Sequence, residues 1–312
     1  MAIRYGRGLR FGFGIEGTWG SAQTRNRFYR GVSSNIRAMP AWNRRSVLSR
    51  GPNATKMFKG MVPVSGDIEV LAAYEGMGTL YKLILGDAAA SSGSGPYTHT
   101  YVMANSLPSA SVEVVADNEG YAELYTGVMV SKAVLSVKAG EEMRLKVSFL
   151  AEDELQGQSA TSPTYTANDG TVDVLHYEAG SVGWNSGTYS VYSMEVSLDN
   201  KLVARDKLGS TASKQFVRGD YTEITIKLEL DWEGDFNAAW LAGTQSDLSV
   251  TFTSGSNTFT VNLHNAQVID EGHPVNAVGV TRQTVTLRGL SDGTDEGMSI
   301  VVVNGQSSAV AA

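Results

Sequence analysis

Strict two-residue alternation of apolar and polar side chains recurs along this chain and limits its fold more than any other feature. Met143, Leu145, Val147, Phe149 and Ala151 alternate with Arg144, Lys146, Ser148 and Leu150. Ile224, Ile226, Leu228, Leu230 and Trp232 alternate with Thr225, Lys227, Glu229 and Asp231, and Met194, Val196 and Leu198 with Glu195, Ser197 and Asp199. A period of two with one apolar face is a strand with one side in a core. From Gly127 onward the apolar parity slips between Val130 and Ala133, which predicts a β-bulge near Ser131-Lys132. Hairpin signals join the runs at Lys138-Ala139-Gly140-Glu141 and at Ser254-Gly255-Ser256-Asn257. Frequent glycine (34) beside sparse proline (7) places Gly-rich turns between β-branched runs, so an all-β fold is expected.

Two segments read as helices. The first spans about 72–86 and stops at Gly86; the second spans about 235–243, with Asp235 as N-cap and Gly243 as stop. Each follows an alternating strand, and each strand follows a long polar loop, at Ala38–Met57 and at Asp199–Gln215. The order of elements recurs at an offset of about 160 residues, which predicts a duplication. The expected organisation is an extended Gly-rich, aromatic arm at 1–25, a first β domain at 26–160, a polar linker at 161–186 and a second β domain at 187–312. The tail GQSSAVAA is expected to fray.

Charge is divided unevenly. Residues 1–60 carry twelve Arg and Lys against one acid, Glu16, a net of +11, while the remainder carries −18. A basic segment on an acidic body binds nucleic acid, or the acidic body of the next identical subunit, or is solvated. Its Phe, Tyr and Trp content argues against a disordered tail. The absence of cysteine excludes disulfides and thiolate metal sites. The opening MAIRYGRGLRFG has no apolar h-region, and no run approaches the roughly 20 apolar residues of a membrane span. The expectation is therefore a chain made in a cytoplasm and not inserted in a membrane.

Residues with catalytic potential do not assemble into a site. Gly12-Phe-Gly14-Ile-Glu-Gly17 matches the dinucleotide fingerprint by letter, but no helical apolar face follows it, and an arm is the better reading. His99, His176, His264 and His273 have no metal-ligand spacing. Glu141-Glu142 and Glu152-Asp153-Glu154 fall at a turn and a strand exit, where solvated acids are expected and not the facing pair that glycoside hydrolysis needs. Asp292-Gly-Thr-Asp295-Glu296 lacks the calcium-loop pattern. Trp232 and Trp240, at the second helix, are expected to pack the core. No catalytic, cofactor or metal residues are therefore assigned, and an enzyme is not expected.

The opening GFGIEGTWGSA resembles the start of phage tail tube proteins. The order of RRSVLSRG, GDIEV, YEGMGTLYKLILGD, LPSASVEV and YTGVMVSKAVLSVKAGEEMRLKVSFLAEDE, then YSMEVSLDN, LELDW and DLSVTFTSG, resembles that family over most of the chain. The resemblance implies two tandem tube-like β-sandwich or barrel domains, each flanked by one short helix, and a long-tailed, siphovirus-like phage. It implies three chains in a pseudo-sixfold ring, rings stacked into a tube, and DNA passing transiently through the lumen. The location implied is the virion tail, with assembly in the host cytoplasm and with a tape measure protein and tail-end proteins as partners. Arg7, Arg10, Arg44, Arg45 and Arg50 are the candidates for contacts between rings. Removal of residues 1–25 is expected to leave the fold intact and to prevent long tubes. Two alternatives remain: a distal-tail or neck ring or another virion component with a related fold, and a two-domain carbohydrate- or surface-binding β-sandwich.

Overall fold

The computed structural model describes residues 8–44, 56–88, 91–116, 121–163, 174–177, 180–213, 215–232, 234–272, 281–294 and 296–309. Its elements fall into two successive sets. The first holds β1 (Arg10–Ile15), β2 (Arg27–Arg30), β3 (Ser33–Ser34), β4 (Arg37–Ala38), β5 (Trp42–Arg44), β6 (Met57–Lys59), β7 (Val64–Leu71), α1 (Gly78–Leu85), β8 (Gly86–Ala88), β9 (Tyr97–Met103), β10 (Ala110–Val115), β11 (Tyr121–Lys138), β12 (Arg144–Ala151) and β13 (Asp153–Ser159). The second holds β14 (Gly180–Trp184), β15 (Gly187–Tyr189), β16 (Val191–Asp199), β17 (Leu202–Ala204), β18 (Phe216–Arg218), β19 (Glu223–Asp231), α2 (Gly234–Ala242), β20 (Gln245–Ser254), β21 (Asn257–Gly272), β22 (Arg282–Arg288) and β23 (Met298–Asn304).

The two sets share one pairing pattern. β2–β1–β10–β11–β13 in the first corresponds to β15–β14–β20–β21–β23 in the second. β3 and β4 on β7, then β12 and β11, correspond to β16–β19–β22–β21. Two of the irregularities repeat, while the shifts at Ala122/Leu124 against β13 and at Val191/Ser193 against β19 have no counterpart. The register slips between Val130 and Lys132 against β12, and between Val268 and Asp270 against β22. It slips again between Ala110 and Val112, and at the matching place between Ser246 and Leu248. Bulges are set by local sequence, so their coincidence in two ladders is not produced by alternation alone. The offset of about 160 residues holds up to the helices and falls to roughly 138 beyond them, because β8 and β9 have no counterpart after α2.

One long antiparallel sheet runs through both sets in the order β4–β7–β12–β11–β16–β19–β22–β21, and β11 against β16 is the seam between them. Its alternating apolar residues face inward: Leu145, Val147 and Phe149 from β12, Val196 and Leu198 from β16, Ile226 and Leu228 from β19 are all buried. The two sets also exchange elements. β23 returns to pair with β9, and Tyr81 of α1 packs at 5.7 Å on Phe259 of β21. All of this forms one continuous apolar core.

Several local expectations are corrected. Residues 10–15 are not a free arm: β1 lies between β2 and β10, and Phe11 and Phe13 are 0% exposed. β14 lies inside the segment read as linker, because Val182 and Trp184 supply just enough apolar alternation to take the place that Phe11 and Phe13 hold in the first set. α1 begins later than expected, since Ala72 still bonds as strand to Met143 and Gly76 turns the chain at φ 76°. Trp232 and Trp240 are 52% and 40% exposed; Trp184 is the tryptophan in the core, stacked at 5.0 Å on Phe236 of α2. The tail is docked as far as Ala309, whose carbonyl accepts from Tyr101 Oη at 2.7 Å, while Gln306 Oε1 accepts from the Gly76 amide at 2.9 Å.

Candidate assembly interface

The GFGIEG segment does its work by close approach. A Cβ at Gly14 would stand 2.3 Å from the Thr24 carbonyl oxygen, and one at Gly12 would stand 2.8 Å from the Phe28 ring. Glycine at both lets the returning chain lie flat on β1. Glu16 then turns inward and gathers four donors: Gly20 N and Ser109 Oγ at 3.0 and 2.8 Å on one oxygen, Ser111 Oγ and Gly127 N at 2.9 and 3.0 Å on the other. A buried carboxylate is tolerated when its lone pairs are filled in this way. Sequence reading missed this role; the signal was a lone acid among twelve bases.

The basic residues of the first sixty separate into two groups. Arg10 is 7% exposed and Arg25 is largely buried. Arg25 Nε meets Glu113 Oε2 at 2.8 Å, and both arginines donate to Thr161, through its carbonyl at 3.2 Å and its hydroxyl at 2.8 Å. Arg10 is thus committed within the chain. Arg44 is exposed on the β5–β6 hairpin with Lys56 and Lys59, beside Trp42, Met57 and Phe58, which are 59%, 59% and 56% exposed. An apolar cluster rimmed by cations on a projecting two-stranded ribbon is a surface prepared for a partner. Arg7, Arg45 and Arg50 lie outside the described residues.

Two sheet edges lie at the ends of the long sheet. β3 and β4 have β7 on one side only, and β21 beyond Val268 has β22 on one side and no strand on the other among the described residues. The solvent face between these edges carries acids and bases in alternation, many of them paired across strands. Arg144 meets Glu69 at 2.9 Å, Lys146 meets Asp67 at 3.0 Å, Lys201 meets Asp199 and Glu223 at 3.0 and 2.9 Å, and Arg282 meets Glu229 at 3.1 Å. Hydrogen bonding to Arg144 is the chief cause of Glu69 titrating below the usual carboxylate range.

The remaining candidates stay apart. His99 is buried between Ser91 Oγ and Asn304 Oδ1 at 2.8 and 3.0 Å, and ties β9 to β23; His176 and His264 lie elsewhere, and His273 is outside the described residues. Glu152 and Glu154 are not simply solvated: burial first, then the charge of Glu16, raises the Glu152 carboxyl, and Glu154 bonds the Ala38 amide. Among the described residues no group of three or more His, Asp or Glu could hold a metal ion, and no helix is long and apolar enough to cross a membrane. A family model described as phage tail tube protein matches residues 6–290. The chain belongs to the phage tail tube protein family. Membership makes it a structural component of a phage tail, built from the all-β architecture described above. The match takes in both edges, the projecting hairpin and the Glu16 hub. No match is found among curated proteins.

Proposed function

We propose that this protein polymerises as stacked rings into the tail tube of a long-tailed phage, and that the tube conducts the genome during delivery. The observation that carries the reading is the β11·β16 seam, where two topologically equivalent sets already continue one sheet through a single chain. Repetition of that junction between chains closes a ring, and three chains with two sets each give a pseudo-sixfold ring. The two sets are then two tandem tube domains. The alternating charged face of the long sheet is the lumen wall. Arg144, Lys146, Lys201, Arg282 and Arg288 are each engaged by a neighbouring acid, so the face offers no continuous basic track to phosphates and lets DNA pass. The tape measure protein occupies the lumen before DNA does, and tail-end proteins cap the tube. Assembly takes place in the host cytoplasm.

Contacts between rings belong to the β5–β6 hairpin. Arg44, with Arg45 and Arg50 that follow it in sequence, meets the acidic body of the next ring, and Trp42, Met57 and Phe58 are covered there. Such ion pairs act only near contact, since screening sets in over about 8 Å. Electron microscopy of negatively stained protein across concentration and salt tests the reading. Rings and hollow tubes of uniform width with threefold or pseudo-sixfold end views are expected; monomers under every condition overturn it. Replacing residues 42–59 by a two-residue turn should leave rings and abolish tubes.

A further inference from the structure

We propose that the edge of β4 is a guarded docking site for strand β21 of a second copy of this chain, with the Glu154 carboxylate as its guard. The inference rests on the ring reading above and assigns it a register and a release step.

The internal seam supplies the template. At its ends Asn200 N donates to Ser131 O and Ala139 N to Tyr192 O, both at 2.8 Å. Hydrogen-bonded pairs alternate along an antiparallel ladder, so Ala133 and Leu198 form such a pair and Lys132 and Asp199 do not. The shared pairing pattern makes Ala133 equivalent to Glu271 and Leu198 equivalent to Ala38. Transferred between chains, the seam places Glu271 opposite Ala38, Asp270 opposite Met39 and Gly272 opposite Arg37. The exposed Arg37 and Asp270 then lie diagonally across the joint on one face, with opposite charge.

The main chain of β4 is oriented for this. Asn35 N and Met39 N donate to Asp67 O and Pro63 O at 3.0 and 2.9 Å, so the Ala38 amide and the Ile36 carbonyl point away from β7. In the free chain both are covered by side chains. Glu154 Oε2 accepts from Ala38 N at 2.6 Å, and Tyr125 Oη donates to Ile36 O at 2.9 Å. In the second set, where β11 occupies the corresponding edge, the positions of Tyr125 and Glu154 hold Leu263 and Met298, both apolar and buried. Polar caps therefore stand only where the edge lacks a strand. An uncovered edge pairs indiscriminately, and a carboxylate on the amide is a removable stopper. When the second copy docks, the Glu271 carbonyl takes the Ala38 N–H and the carboxylate swings to solvent.

The chain has no cysteine, so an engineered pair is unambiguous. Met39→Cys with Asp270→Cys in one chain places the thiols at a non-hydrogen-bonded pair, whose Cα spacing of about 4.5 Å suits a disulfide. Oxidation of assembled rings should give a ladder of covalent oligomers ending at the closed ring. Asn35→Cys with Asp270→Cys, out of register, should give none. Glu154→Ala should lower the protein concentration at which rings appear several-fold. Rings without the 39–270 cross-link overturn the register and leave the tube reading standing. A threshold unchanged or raised by Glu154→Ala overturns the guard. Wild-type chains that never assemble overturn both.

Discussion

The Asn200 side-chain amide donates to the Ile84 carbonyl and to the Val130 carbonyl, each at 3.1 Å, which fastens the end of α1 and the bulge of β11 to the strand that begins the second set's share of the sheet. Its carbonyl oxygen accepts from Arg218 Nη2 at 2.9 Å, and the residue is 0% exposed. Asn200→Ala strands two carbonyls and a guanidinium at the seam. A loss of about 2–4 kcal/mol is expected. Calorimetry should show one transition moving down, since a single core joins the two sets; two separated transitions would show that the seam is not cooperative.

Glu16 presents a sharper case because all four of its donors are directed at one carboxylate. Glu16→Ala leaves the Ser109 and Ser111 hydroxyls and the Gly20 and Gly127 amides facing a cavity, and should cost about 3 kcal/mol or more. Glu16→Gln keeps one acceptor oxygen and turns an amide NH2 against the other pair of donors, so it should fall between wild type and alanine. Urea denaturation of the three proteins ranks them.

Arg25 and Glu113 form a buried pair whose members also hold Thr161. Removal of either charge leaves the other uncompensated, so each alanine variant should lose about 3–5 kcal/mol. The double variant should lose clearly less than the two losses combined. Additive losses in a double-mutant cycle would show that the pair is not coupled.

A chain starting at residue 8 should fold, whereas one starting at residue 16 should not, because it lacks Phe11 and Phe13 and leaves β2 and β10 without the strand between them. Two large buried aromatics are worth about 3–5 kcal/mol each, against a total stability of about 5–15 kcal/mol. Circular dichroism of the two truncations distinguishes them.

This last contrast also marks where the sequence was legible. Strands with three or more apolar residues at period two, β12, β16 and β19, are legible directly, as are the bulge at Ser131-Lys132 and both hairpin turns. β1 and β14 are not, because each is short and interrupted by glycines whose role is to admit a neighbouring chain or to pack closely. The recurring order of elements is legible in the sequence, whereas the matched bulges in matched ladders exist only once strands are paired. Trp232 continues the β19 alternation, yet the chain leaves the sheet at Asp231 and the next position in the pattern faces water. The sequence marks Glu154 only as an acid at a strand exit; its bond to the Ala38 amide exists only in the folded chain.

Glu152 gives a pH signature. Its carboxyl is raised above the ordinary value of 4.5 by burial first and then by the negative charges of Glu16 and Asp153. A carboxyl raised on folding binds its proton more tightly in the folded chain than in the unfolded one, so stability falls as pH rises through that range. Glu152→Gln removes the unfavourable charge. The variant should therefore melt higher than wild type at pH 7, and the difference should shrink as pH drops and vanish below about 4, where wild-type Glu152 is itself protonated in both states. Melting temperatures of both proteins from pH 3 to 8 test this. A variant that melts lower at pH 7 would show that the ionised carboxylate has a partner that stabilises it more than Glu16 opposes it.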